Sequence, residues 1–422
     1  MSLFSKKDFA NAKWYIIEKV CQLIVGIYIT PKIFNSLGAF NSGELEISKA
    51  IVGVLAPFFF LGLSAICIRE LVFKPKMKNQ IIGTTLVLRL CSFVLLSLCL
   101  LIYTYFTNTS EITFIVLIIA FSYLFRISDV IEYFFVARKK YKYVFICKII
   151  TLIFVLIVQY YGVERNFGAF YFAGVLFFEF AIQTLIYLGI ITYSKELNLC
   201  KLSWSFKLAK DLLVSAFPLL LTNFIIVFYL AIDDFFINTY IGSAANGVFS
   251  VVNFLVIFIT WNIGAAFIYG LYPALAECYL DDKILYAKRL KFMLKVVILF
   301  GICIGIFYTF LGDYVISTQY EKSFEAAKSP LKIFAWAPIF VFVGMLFEKH
   351  LVNQNKLNRN VYRFILGCAV NALLCFLLIP KYHLVGAAFA LLLSHFVTNI
   401  VFVFLYKSYR QDMWLLLLNK AK

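Results

Sequence analysis

The stretch ITFIVLIIAFSYLFRISDVIEYFFVARKKYKY, residues 112–143, decides the class of fold. It opens with an uncharged run from Ile112 to Phe125. Arg126, Asp129 and Glu132 then follow at a spacing of three. It closes on Arg138, Lys139, Lys140 and Lys142. At about 1.5 Å per residue, a helix over 112–137 reaches roughly 39 Å, enough to cross a hydrocarbon layer of about 30 Å. A basic cluster directly after such a run marks a cytoplasmic membrane surface. A strand of a membrane barrel would alternate apolar and polar residues, and this run is continuous.

The rest of the chain repeats the pattern. Of 422 residues, 63% are hydrophobic and 14% are charged, against roughly 25% charged in soluble domains. Mean hydropathy is +0.91. This excludes soluble enzymes and nucleic-acid-binding domains, despite a net charge of +17. Twelve helical spans are expected, at about 14–35, 46–67, 81–106, 112–137, 144–162, 168–193, 212–237, 246–270, 291–311, 329–348, 361–379 and 384–406. With the N-terminus inside, the cytoplasmic segments, counted with Lys291, Lys295 and Arg363 at the inner ends of spans nine and eleven, hold 28 of the 39 Lys and Arg, and the external loops hold only Arg165, Lys322, Lys328 and Lys381. That bias supports an even number of spans, with both termini cytoplasmic.

The chain also repeats internally. Leu37-Gly38-Ala39-Phe40-Asn41-Ser42-Gly43 matches Ile241-Gly242-Ser243-Ala244-Ala245-Asn246-Gly247 at an offset of 204. Each lies in an external turn between two spans, where glycine accepts positive φ. Gly168-Ala169 and Gly386-Ala387 correspond late in each half, as do Glu132 and Glu348. The fold expected is all-α: a polytopic membrane protein of about twelve transmembrane helices, in two six-helix lobes around a central cavity. The lobes are 1–195 and 212–406, with a basic cytoplasmic linker at 196–211 and a cytoplasmic tail at 407–422. Parallel repeats of this kind are typical of transporters that alternate access around a central site.

Ionisable groups inside the hydrocarbon are costly and face a cavity or a partner. Arg126, Arg89 and Lys19 are the candidate cations for an anionic head-group, since guanidinium fits phosphate oxygens bidentately. Glu179, Asp129, Glu132 and Glu18 are candidates to carry a coupling ion. Arg126 and Asp129 are also one turn apart, which allows simple mutual neutralisation. Asp233 and Asp234 read as an exposed helix end, with a cation or substrate contact as the alternative. Lys32, Lys49 and Lys332 read as snorkelling side chains, with Lys32 kept as a lesser candidate. Lys148 reads as interfacial. Met413–Leu418 is too short to span and suits the inner leaflet. No metal site, cofactor, P-loop or catalytic constellation is expected, and the external loops are too short for a catalytic domain.

The order of these motifs resembles the polysaccharide flippases, of the O-antigen (Wzx) type, in the multidrug/oligosaccharidyl-lipid/polysaccharide exporter superfamily. The carriers are Trp14…Glu18-Lys19, Leu37-Gly38…Gly43-Glu44 and Ala137-Arg138-Lys139-Lys140-Tyr141-Lys142-Tyr143. They continue with Asp233, Phe236-Ile237, Ile241-Gly242…Gly247-Val248, and Ile379-Pro380-Lys381-Tyr382…Val385-Gly386-Ala387-Ala388. The resemblance implies a polyprenyl-diphosphate-linked oligosaccharide as substrate. It would be moved from the inner to the outer leaflet of the bacterial inner membrane, with a proton or sodium ion as coupling partner. A polysaccharide polymerase is a further implied partner. Two alternatives stay open: a cation-coupled multidrug exporter of the same superfamily, and an integral membrane transferase or polymerase.

Overall fold

A computed structural model of the chain describes residues 6–106, 111–198, 201–354, 356 and 358–405. The tail from 407, with Met413–Leu418, lies outside the described residues. Among the described residues all regular structure is helical, and nine helices are long and apolar enough to cross a membrane. The number is ten if Lys322–Phe334 and Ala337–Asn353, bent by 55°, form one broken span. Two of the nine are too long for one crossing: Tyr15–Phe73 has 59 residues and Asn360–Phe404 has 45. Unbroken, they would reach about 90 and 70 Å. Each is interrupted, at Gly38 (φ 70°, ψ 172°) and at His383 (φ 52°, ψ −132°). Splitting the two runs there makes room for the twelve spans expected.

Numbered on that basis, helix one is 6–37, and helix two is 39–60 with a continuation at Leu63–Phe73. Helix three is Lys78–Phe106, helix four Glu111–Ala137, helix five Tyr141–Glu164 and helix six Ala169–Ser194. Helix seven is Phe206–Tyr240, helix eight Ser243–Tyr279 and helix nine Lys283–Gln319. Helix ten is the bent pair, and helices eleven and twelve are 358–382 and 384–405. Gly242, like Gly38, takes a backbone conformation (φ 105°, ψ 174°) that a Cβ would strain. These two turns are where helices one and seven give way to two and eight.

Lipid, not water, solvates the outer surface. The most apolar 18-residue windows of the nine helices are only 17% to 50% buried. Phe310 on helix nine is 78% exposed. Backbone groups on such a surface are satisfied within their own helices, which is why irregular chain is confined to special places.

By packing, the chain forms two compact units, Met1–Gly43 with Ile232–Lys422, and Glu44–Ala231. This grouping differs from the repeat in sequence: helix one belongs with the second half, and most of helix seven with the first. The core of the Glu44–Ala231 unit gathers Leu63, Cys67, Ile82, Phe134, Phe135 and Tyr187. The other unit has two clusters, one around Phe249, Phe324 and Phe334, the other around Leu275, Met293 and Phe342.

The basic linker is less of a tether than its composition suggests. The Ser203 amide donates to the Asn79 carbonyl at 3.5 Å, and the Ser205 amide to Thr84 Oγ1 at 3.2 Å. Lys78 Nζ donates to the Glu196 carbonyl at 2.6 Å, and Lys140 pairs with the Glu196 carboxylate. Helix seven consequently begins at Phe206, earlier than the expected 212.

Candidate functional site

Helix four is broken in its middle. It runs from Glu111 to Ser122, makes a turn and a short 3₁₀ segment over Phe125–Ser128, and resumes from Asp129 to Ala137. In the break the amide of Leu124 donates to Phe121 and that of Ile127 to Leu124, three residues back. Two carbonyls of this tightened stretch also accept from side chains of neighbouring helices. Arg89 Nη1 of helix three donates to the Arg126 carbonyl at 3.0 Å. Thr184 of helix six lies with its hydroxyl 2.9 Å from the Phe125 carbonyl and 2.8 Å from the Ser128 hydroxyl. The break is clamped from both sides, and Arg126 sits within it.

The Arg126 guanidinium is enclosed by rings. Phe60 lies 4.3 Å away, Phe180 5.0 Å and Tyr123 5.2 Å. Its Nε reaches Asp129 Oδ2 at 3.4 Å, and the side chain remains 31% exposed. Aromatic faces hold a cation with about 0.5–2 kcal/mol and strip part of its water without neutralising it. A cavity of about 290 Å³ opens beside it, lined by Pro57, Phe60, Arg126, Asp129, Tyr133 and Asn223 among others. That is the low end of the range for ligand sites, roughly 300–1,000 Å³. It accommodates a charged head, not a whole oligosaccharide.

Tyr133 is positioned for a second contact. Arg89 Nη2 donates to its phenolic oxygen at 2.6 Å. The oxygen being an acceptor there, the phenolic hydrogen is left for a group in the cavity. Asn223, from helix seven, adds an amide with both donor and acceptor.

Several expectations need correction. Arg89, expected to offer its charge to a head-group, is 1% exposed and donates to the Arg126 carbonyl and the Tyr133 hydroxyl of helix four. Glu132 does not share the face of Arg126. Its carboxylate pairs with Lys148 at 3.2 Å and accepts from Tyr187 at 2.9 Å. Lys148 is accordingly an ion-pair partner. Asp233 is not at an exposed helix end: it is 1% exposed, and Asn253 Nδ2 donates to its Oδ2 at 3.1 Å. Lys332 pairs with Asp313 at 2.6 Å, and Lys49 with Glu46 at 2.8 Å.

The remaining candidates are placed as follows. Glu179 neighbours Phe180 on helix six and is half-buried. Glu18, Lys19 and Gln22 form a cluster on helix one. There Lys19 Nζ donates to Gln22 Oε1 at 2.8 Å and lies 3.5 Å from Glu18 Oε1. Lys32 donates to the Tyr28 hydroxyl at 3.1 Å. Asp234 is half-buried beside Asp233.

Sequence reasoning alone does not single out Phe60, Tyr123, Tyr133, Phe180 or Asn223. Tyr133, seven residues after Arg126, is within reach of a spacing argument that takes the helix as continuous. Phe60, Phe180 and Asn223 come from other helices, and only packing brings them in.

Comparison with known proteins gives a consistent outcome. Residues 37–329 match the family described as polysaccharide biosynthesis protein. A capsular polysaccharide biosynthesis protein, CapF, of Staphylococcus aureus is 23% identical over 409 residues, covering 93% of this chain and 96% of that protein. Among solved structures, an inward-facing multidrug resistance MATE family transporter of the MOP superfamily matches with a TM-score of 0.70 at 14% identity, covering 96% of each chain. The MATE multidrug transporter DinF-BH matches at 0.69 and 14%, over 97% of each chain. A MOP superfamily transporter from Pyrococcus furiosus, described by the reverse polarity of its binding pocket, matches at 0.66 and 13%, over 97% of this chain and 96% of that one. The chain therefore belongs to the polysaccharide biosynthesis protein family, built on the transporter fold of the multidrug/oligosaccharidyl-lipid/polysaccharide exporter superfamily.

Proposed function

We propose that this protein flips a polyprenyl-diphosphate-linked oligosaccharide from the inner to the outer leaflet of the bacterial inner membrane. It works by alternating access, without chemical change to the substrate, and is driven by a proton or sodium gradient. The observation that carries the reading is Arg126: a part-exposed cation on a broken helix, beside a small cavity lined by both polar and apolar side chains. Broken helices with charged groups at the midplane are how transporters build substrate sites in hydrocarbon.

The physical problem is a diphosphate that hydrocarbon will not dissolve. Arg126 replaces part of its hydration. The rings of Phe60, Tyr123 and Phe180 hold the guanidinium in place, so little ordering remains to be done on binding. Phosphate displaces Asp129 from Arg126, and the Tyr133 hydroxyl donates a second hydrogen bond. Asn223 is placed for the first sugar, and the remaining glycan lies beyond this cavity. In this reading Asp129, paired with Arg126, and Glu179, next to Phe180 on helix six, carry the coupling ion. Asp233, whose buried Oδ1 has no hydrogen-bond partner among the described residues, is a second candidate for that ion. Glu132 is committed to Lys148 and Tyr187 and is left out.

The test is reconstitution into liposomes with a fluorescent polyprenyl-diphosphate oligosaccharide. Its exposure in the opposite leaflet is followed with and without a proton or sodium gradient. Gradient-dependent exposure that disappears with Arg126→Ala supports the proposal. Uptake of a cationic dye against the gradient, with no movement of the glycolipid, would assign the chain to drug export instead.

A further inference from the structure

Helices four and six leave an apolar groove between them, within the Glu44–Ala231 unit. Phe114, Leu117, Ile118 and Phe121 form its wall on helix four, at the spacing of one helical face. Ile115, Val116 and Ile119 are buried on the opposite side of that helix. The wall on helix six is Phe170 and Phe177. The groove holds about 400 Å³, more than the cavity of about 290 Å³ beside Arg126, and all of these side chains are apolar. It is open, with Phe114 50% exposed, Phe170 43% and Phe121 38%. Gly174 lies between Phe170 and Phe177 on the same face of helix six. A Cβ placed on it would meet no described heavy atom within 4 Å.

We propose, on the substrate reading above, that this groove holds the first isoprene units of the lipid while its diphosphate is at Arg126. Three observations favour this occupant over ordinary bilayer lipid. First, the groove ends at the head-group site. Phe177 packs edge-on to Phe125 at 4.8 Å. Arg126 is the next residue on helix four, and Phe180, one turn beyond Phe177, covers its guanidinium. A lipid held by its diphosphate presents its first carbons to the groove at high effective concentration, and a free lipid does not. That tether matters, because bilayer tails are as apolar as the groove and no hydrophobic gain draws one in. Second, the direction is that of a lipid not yet turned over. The groove lies on the Glu111 side of Arg126, away from the basic cluster at 138–142. A lipid of the cytoplasmic leaflet points its tail the same way, since the basic end marks that leaflet. Third, four of the six lining residues are Phe. Flat rings pack against planar double bonds and methyl branches, and an isoprenoid has fewer free torsions to freeze than a saturated chain.

The test uses the full-length protein in liposomes and a polyprenyl-diphosphate oligosaccharide with a photoreactive diazirine on its first isoprene unit. Labelled positions are read by mass spectrometry and are expected within 114–121 and 170–177. Polyprenyl diphosphate should compete about tenfold better than a saturated alkyl diphosphate of equal chain length. Gly174→Phe fills the groove and should lower both labelling and the initial rate of glycolipid exposure about tenfold. Leu117→Trp fills it from helix four and serves if a melting curve shows that the first variant does not fold. Equal competition by the saturated chain would overturn the isoprenoid site, as would unchanged labelling and rate in a folded variant. Labelling that survives Arg126→Ala with Asp129→Asn would also overturn it, because the tail would then bind without its head. A labelled groove in a protein that exposes no glycolipid refutes the transport reading and leaves the groove standing. Normal exposure with an unlabelled groove does the reverse.

Discussion

Removing the charge at Arg126 should weaken substrate engagement by a calculable amount. A phosphate oxygen about 4 Å from the guanidinium gains roughly 4 kcal/mol at an effective dielectric of about 20. Two observed features reduce this. The side chain is 31% exposed, so water screens part of the attraction, and Asp129 at 3.4 Å must be displaced. A net loss of about 2–3 kcal/mol remains, or roughly 30- to 150-fold in half-saturating glycolipid concentration. Arg126→Lys keeps the charge but gives up the planar fork and the ring stacking, so a loss of about 1 kcal/mol is expected. Arg126→Ala alone also strands the Asp129 carboxylate, 9% exposed, and should lower the melting temperature. The decisive variant is therefore Arg126→Ala with Asp129→Asn, which removes both charges and restores thermal stability. The assay is the initial rate of leaflet exposure in liposomes at several glycolipid concentrations. A stably folded double variant with unchanged half-saturation would refute the assignment.

Three further outcomes follow from the contacts described. Arg89→Met should cost about 1–3 kcal/mol of stability in detergent, because it removes the donor to the Tyr133 hydroxyl and one of the two donors to the Arg126 carbonyl; a melting curve matching the parent would contradict that role. Thr184→Val should cost about 1–2 kcal/mol and slow transport, whereas Thr184→Ser should do neither. For Glu132 and Lys148, a double-mutant cycle with Gln and Met should give a coupling of about 1 kcal/mol, while Glu132→Gln leaves the dependence of transport on the ion gradient unchanged. Loss of gradient dependence in that variant would return Glu132 to the coupling groups.

Helix four shows where sequence reasoning reaches and where it stops. Its length, its apolar run and its basic end are properties of a segment in hydrocarbon, and they are written in residues 112–143. The spacing of Arg126, Asp129 and Glu132 suggests one shared face only if the helix is continuous. The 3₁₀ segment resets that register, and Phe125-Arg126-Ile127-Ser128 contains neither glycine nor proline to announce it. The break is imposed by Arg89 and Thr184, which lie far away in sequence. The turns at Gly38 and Gly242 are legible for the opposite reason, since their backbone conformation demands glycine locally. Asp233 looks like a helix end in the sequence, but helix seven continues to Tyr240, two turns beyond it.

The hydroxyl of Thr184 has one hydrogen and two carbonyls within reach. Phe125 belongs to the broken helix at 2.9 Å, and Phe180 to its own helix at 2.8 Å. It can satisfy only one at a time. The bond to Phe125 ties helix six to the broken helix, whereas the bond to Phe180 closes on helix six alone, so a single hydrogen decides whether the two helices are latched together at the joint.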